Sequence, residues 1–236
     1  MRKEKIAQSF GNNCSYYDAH ANVQKQVAEK LVSLLPNITA PKILEIGCGT
    51  GFLTKLLFQK YPDGNFHITD LSSDMLAHCQ KQAPNTQARY FQMDAEKPHC
   101  DSDYDLVVSA MTFQWFENPI ETLQELSQKG DVYYSALGGN NFKEWKNILK
   151  KNDLQEGTLP PIHWPNLIDE DDIQENHENG KDFLKMLKQT GTATPSAQYK
   201  QLDYIPFKRV LSAFDGTITW HIVYGFEPRK HPIISA

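Results

Sequence analysis

A short apolar run that breaks into glycines, KILEIGCGTGF at residues 42–52, restricts the folds open to this chain more than any other stretch. Ile43, Leu44 and Ile46 read as a buried strand, and Gly47, Gly49 and Gly51 demand a tight turn directly after it. TGFLTKLLFQKY then has helical periodicity, so the unit is strand, glycine turn, helix. That rhythm repeats. HITDLS at 67–72 reads as a second strand ending in an acid, and SSDMLAHCQKQ as a helix with Ser72 or Ser73 as its N-cap. ARYFQMDAE is a third strand ending in an acid, and YDLVVSA at 104–110 is a continuous apolar run suited to a central strand. PIETLQELSQKG reads as a helix with Gly130 at its end, and DVYYSAL as a fifth strand. Alternation of this kind through residue 137 specifies an α/β fold with a doubly wound, mostly parallel sheet.

The flanks read differently. Upstream, Val23, Val27, Leu31 and Leu34 fall at helical spacing within residues 18–35, and Pro36 closes that helix. Downstream, residues 152–180 are rich in Pro, Asn, Asp and Glu and read as an inserted, partly irregular segment able to act as a lid. KDFLKMLKQTG is a compact helix, residues 204–214 another, and TITWHIVYGF a closing strand.

The glycine order points to a ligand. A dinucleotide fingerprint is G-x-G-x-x-G, whereas here the order is G-x-G-x-G, with Phe52 where the third glycine would fall. S-adenosylmethionine has no pyrophosphate, and its zwitterionic methionine end must be held instead. Glu45, directly or through water, can neutralise its ammonium group. Asp70 closes the next strand and can accept from both ribose hydroxyls, and Asp94 in MDAE can accept from an adenine amino group. Each acid alone is more often a helix cap. Together, in register at the carboxyl ends of adjacent strands, they describe a cofactor crevice. The whole chain, 1–236, is then expected to be one domain: an N-terminal helical segment (1–40), a cofactor-binding core (41–137), a helix and substrate-side insertion (138–203), and a closing helix and strand (204–236).

Composition removes several classes. With 40% hydrophobic and 22% charged residues the chain reads as a globular protein, and no apolar run approaches the ~18 residues that span a bilayer. The N-terminus is polar, so a cytoplasmic protein, neither secreted nor membrane-bound, is expected. Cys14, Cys48, Cys79 and Cys100 are scattered without C-x-x-C pairing and read as free thiols, and the eight histidines lack metal spacing, so no metal is expected. The net charge of −5 argues against a nucleic-acid partner.

ILEIGCGTG, TDLSSDML, MDAE and DLVVSAMTFQW resemble the class I, Rossmann-like methyltransferases that use S-adenosylmethionine. Phe10-Gly-x5-Tyr17-Asp18-x-His20-Ala21-x2-Gln24, the Gln114-Trp115 pair, Leu187-Lys188-x-x-Gly191 and the closing ITWHIVYG narrow the resemblance to the malonyl-acyl-carrier-protein O-methyltransferases of the biotin pathway. The resemblance implies methylation of the free carboxylate of malonyl-acyl-carrier protein, or malonyl-CoA, giving the ester that starts pimeloyl and biotin synthesis. It implies cofactor contacts from Gln24, Glu45, Gly47, Gly49, Gly51, Asp70, Leu71, Asp94 and Ala95. Substrate-side and catalytic roles fall to Tyr17, Gln114, Trp115, Lys188 and His221. A monomer is expected, and two other readings stay open: a class I enzyme acting on another small carboxylic acid or a quinone precursor, and a binding protein without catalysis.

A malonyl carboxylate is ionised at neutral pH, so no general base is needed; the demand is an oxygen in line with the methyl–sulfur bond at about 3 Å. Sulfonium and carboxylate charges cancel along the path, so a dry pocket favours reaction, and Tyr16, Tyr17, Phe113, Trp115 and Phe116 are candidate apolar walls. Gln114 can orient the carboxylate or the cofactor, and Lys188 can serve as the malonyl counter-ion. The carrier implied by the resemblance is acidic. Lys143, Lys146 and Lys150, and Lys181, Lys185 and Lys188, each share a helix face and offer it a basic stripe.

Overall fold

The structure is a computed structural model that describes residues 21–100, 103–154, 160–189 and 204–230. Seven strands form one sheet in the order β3-β2-β1-β4-β5-β7-β6. β1 (Lys42–Ile46), β2 (Asn65–Asp70), β3 (Ala88–Gln92), β4 (Leu106–Ala110) and β5 (Asp131–Leu137) run parallel, and β7 (Thr217–Glu227) lies antiparallel between β5 and β6 (Leu167–Asn176). The strand order reverses at β1 and β4, the topological switch point where such sheets bind ligands.

Strand alternation divides the core. Ile43 of β1, Leu106 and Val108 of β4, and Ile218, Trp220 and Ile222 of β7 pack with α1 (Asn22–Leu34) and α2 (Phe52–Lys60). Leu44 and Ile46 of β1 and Val107 of β4 instead join Leu123 and Leu126 of α4 (Pro119–Ser127). Burying each such side chain contributes about 1.5–3 kcal/mol. The expected N-terminal helix is α1, which buries Val23, Val27 and Leu31. Leu35, forced out of helical geometry by Pro36, ends it with ψ 144°; its N–H reaches the Val32 carbonyl at 3.3 Å, and Lys60 Nζ donates to the carbonyls of Val32 and Leu35 at 3.0 and 2.9 Å. Of the two candidate caps of α3 (Ser73–Gln82), Ser72 takes the role, its hydroxyl accepting from the Met75 N–H at 3.3 Å.

The region beyond β5 corrects one expectation. Residues 152–180 hold the edge strand β6, paired with β7 from Leu167↔Gly225 to Asn176↔Thr217. Asp, Glu and Gln disfavour strands in general, but an edge strand has one free side, and here the acids find partners. Asp169 meets Lys30 at 2.7 Å, Asp172 meets Lys143 at 2.9 Å, and Glu175 accepts from the Trp220 indole at 2.9 Å. Beside this edge, α5 (Lys143–Lys151), α6 (Gly180–Gln189) and α7 (Tyr204–Ala213) close on an aromatic cluster of Phe142, Trp145, Phe183, Phe214 and Trp220. No helix among the described residues is long and apolar enough to cross a membrane.

Candidate active site

The cleft lies where β1, β2 and β4 end and is partly open to solvent. Gly47 and Gly49 form one wall and Asp70, Leu71 and Ser72 a second; Met93, Asp94, Ala95 and Glu96 follow, and Thr112, Trp115 and Phe116 face them.

Each glycine in the turn has its own reason. Gly47 has φ +70°, and a Cβ there would stand 2.4 Å from Thr112 Oγ1. Gly49 has φ +53° with nothing within 4 Å of the place a Cβ would take, so its bare backbone faces open space. Gly51 is packed beside Cys79 and begins α2 rather than lining the cleft.

Asp70 ties the turn to the next loop. Its carboxylate accepts the Gly49 N–H at 3.0 Å and the Ser72 N–H at 2.8 Å. A carboxylate has about four acceptor positions, so two donors leave capacity for ligand hydroxyls. Burial raises its pKa above the usual range, and the backbone N–H groups of Ser72, Gly49 and Leu71 oppose that shift. Asp94 stands two residues beyond β3 and accepts the Glu96 N–H at 3.0 Å.

Glu45 stands behind the glycine turn and does not line the cleft. It has no exposed surface; Oε2 accepts from Thr54 Oγ1 at 2.8 Å, while Oε1 has no hydrogen-bond partner among the described residues. Burial, then the neighbouring Cys79, holds its carboxyl well above the usual range. Thr54 Oγ1 is also 3.3 Å from Cys79 Sγ, and Cys48, Cys79 and Cys100 are buried free thiols.

Several residues expected on the substrate side do not line the cleft. Gln114 is 5% exposed and turned inward: Nε2 donates to the Met111 carbonyl at 2.7 Å, fastening a backbone with φ +56°. A non-glycine residue in that region costs on the order of 1 kcal/mol, so Gln114 acts on the loop and does not reach the cleft. His221, in β7, also lies outside the lining. Its Nδ1 accepts the Asn140 N–H at 3.1 Å, and its ring fills the space a Cβ on Gly138 would need, so it shapes the turn after β5. Lys188 is exposed on α6, and Gln24 is buried on α1 at 8% exposure; neither lines the cleft. Trp115 and Phe116 do line it, whereas Phe113 is fully buried against Phe116 and Tyr134. Tyr16, Tyr17 and Cys14 lie outside the described residues. Met75, Met111, Thr112 and Glu96 join the cleft unforeseen; Met93 and Glu96 at least flank Asp94 in a motif the sequence had singled out.

S-adenosylmethionine fits these residues. The Glu45 carboxyl keeps one oxygen without a hydrogen-bond partner among the described residues and can ionise beside a cation, the bare Gly49 backbone gives close approach, and Asp70 keeps acceptor capacity at the cleft.

Comparison with known proteins agrees. The methyltransferase-domain family model matches residues 43–129. A malonyl-[acyl-carrier protein] O-methyltransferase of Magnetococcus marinus is 33% identical, the alignment covering 97% of this chain and 94% of that protein. The biotin biosynthesis bifunctional protein BioCD of Bordetella avium is 31% identical over 93% of this chain, which spans 51% of that longer protein. Among solved structures, the YcgJ protein of Bacillus subtilis superposes with a TM-score of 0.60 at 10% identity, covering 87% of this chain and 99% of that one, a likeness of fold alone. With the cleft, the glycine turn and a full-length relative in agreement, the chain belongs to the malonyl-[acyl-carrier protein] O-methyltransferase family of S-adenosylmethionine-dependent enzymes.

Proposed function

We propose that this protein transfers a methyl group from S-adenosylmethionine to the free carboxylate of malonyl-acyl-carrier protein, with malonyl-CoA as a second acceptor, and that it works as a cytoplasmic monomer without nucleic acid. One observation carries the reading: a single cleft joins the acids and the glycine turn at one side to the apolar wall of Trp115 and Phe116 at the other.

The bound cofactor supplies an electrophilic methyl group on a sulfonium. Everything else falls to the chain. Asp70 orients the ribose, and Asp94 with Leu71 and Ala95 frames the adenine. Glu45, which loses its proton as the ammonium approaches, then balances that charge. Trp115 and Phe116 exclude water from the acceptor side, so that the carboxylate and sulfonium meet where their charges are poorly solvated. No residue has to remove a proton, because the acceptor is already an anion. Tyr17 completes the acceptor side in this reading.

An acidic carrier would dock against lysines. Lys181, Lys185 and Lys188 are exposed on α6, whereas Lys143 on α5 is already paired with Asp172, which favours the α6 face. Reversing the three α6 charges should raise KM for the carrier-bound substrate steeply at low salt and leave malonyl-CoA kinetics nearly unchanged; an unaltered KM removes that face.

The deciding test offers methyl-labelled cofactor to malonyl-carrier protein, malonyl-CoA and free malonate side by side. Ester should form on the carrier fastest. Label on none of the three would sink the reading.

A further inference from the structure

Glu96 bridges the two sides of the cleft. Its Oε1 accepts the N–H of Glu117 at 3.0 Å and that of Asn118 at 2.8 Å. Its own N–H donates to Asp94 Oδ1 at 3.0 Å. The path therefore runs from the Asp94 carboxylate, through Glu96, to the backbone immediately after Trp115 and Phe116. Asp94, Ala95 and Glu96 line one side of the cleft and Trp115 and Phe116 the other.

Local bonds hold the turn itself, from the Trp115 N–H to the Thr112 carbonyl at 3.0 Å and from the Phe116 N–H to the Phe113 carbonyl at 3.1 Å, but neither reaches the loop after β3. Asn118 occupies the N-cap position of α4, yet its side chain makes no capping bond, so the start of that helix is fixed from the loop after β3. Two N–H groups on one carboxylate oxygen are charge-assisted bonds, roughly twice the strength of neutral ones. A helix N-terminus adds its own preference for negative charge nearby.

We propose that Glu96 is a positioning residue that couples occupancy beside Asp94 to the placement of the Trp115–Phe116 wall. A ligand that orders the loop after β3 thereby orders the wall against which the acceptor must pack. The inference rests on the cofactor reading of the cleft, but not on which acid is methylated. It also assigns Glu96 a task unlike that of Asp94: it acts through the backbone of another loop.

The test uses the full chain, with Glu96→Ala and Glu96→Gln as variants. Glutamine keeps a carbonyl oxygen that can accept both N–H groups, whereas alanine keeps nothing. S-adenosylhomocysteine is titrated against each protein while tryptophan emission is followed, with Trp115→Phe identifying the Trp115 contribution; kcat and KM are measured alongside. In Glu96→Ala the Trp115 emission should move to the red and lose its response to ligand. Its kcat should fall about tenfold, as expected on losing bonds to a charged acceptor, with little change in cofactor KM. Glu96→Gln should recover both properties. Wild-type emission and kcat in Glu96→Ala overturn the proposal. So does a Glu96→Gln variant as impaired as Glu96→Ala with its Trp115 signal intact, because charge at the ligand would then be what matters. If Glu96→Ala does not fold, Glu96→Gln is judged against the wild type: a kcat about tenfold lower with Trp115 emission and its ligand response intact overturns the proposal. Wild-type protein that binds no S-adenosylhomocysteine would remove the cofactor reading itself, and the coupling with it.

Discussion

Glu45 carries its carboxyl behind the glycine turn with no exposed surface and one hydrogen bond, from Thr54. Desolvation favours the neutral form, so the folded pKa is raised above the unfolded value of about 4.3. The sign follows: its contribution to stability is fully present below the unfolded pKa and is lost as pH rises through the folded one. A cationic ammonium brought close would pull the pKa back down and expel the proton. Binding of S-adenosylhomocysteine, measured calorimetrically in buffers of differing ionisation enthalpy, should therefore release a proton between the usual carboxylate range and the raised value. Glu45→Gln should bind more weakly and release none; proton uptake by the wild type would contradict the assignment. Gly47 and Gly49 separate in the same way. Gly47→Ala drives a methyl into Thr112 and should lower both stability and affinity, whereas Gly49→Ala meets no protein atom and should cost only about 1 kcal/mol of stability while losing most cofactor binding. Thermal melts with and without ligand distinguish them. At this scale the glycine turn and its tie to Asp70 were legible in the sequence, because positive φ at Gly47 and Gly49 and the bonds from the Gly49 and Ser72 N–H groups are matters of local backbone geometry. That Gln114 and His221 lie off the cleft lining was not legible, because matching a family pattern says nothing about which way a side chain turns. Only the turns at Met111 and Gly138 decide that.

Among the elements, the parallel strands and their helices could be read directly, since continuous apolar runs and helical spacing alternate without ambiguity. β6 could not. LIDEDDIQEN has one strongly apolar position in its second half, Ile173, and its strand character comes from β7 and from ions on neighbouring elements. The same dependence appears at α5. Glu144 accepts the Thr219 N–H at 2.9 Å and the Thr219 hydroxyl at 2.5 Å, and Thr219 is fully buried. Glu144→Ala leaves both donors unsatisfied and should lower the unfolding free energy by about 2–3 kcal/mol, read as a shift in urea midpoint at unchanged slope. Glu144→Gln should recover part of that loss. If both variants unfold like the wild type, β7 does not need α5 to hold it.

For the molecule as a whole, the position of the cleft was foreseeable from strand alternation alone, because a doubly wound sheet opens where its winding reverses. Which loops form its far wall was not, since that depends on how residues after β4 meet those after β3. Cofactor binding should stabilise the fold through mass action. S-adenosylhomocysteine at a hundred times its Kd adds about 2.7 kcal/mol, which for a domain of this size raises Tm by about 5–10 °C. A melt indifferent to ligand would argue that the cleft does not take it. The far side of the sheet has a different consequence. A β-strand with one unsatisfied flank invites an identical strand from another molecule, and the stacking that follows ends in precipitate. Asp169, Glu170, Asp171 and Asp172 stand in succession along that strand, and although Lys30 and Lys143 pair with the first and last of them, two copies meeting there would still bring acids face to face. The residues that hide this strand from a reader of the sequence are the ones that oppose its extension by a second copy.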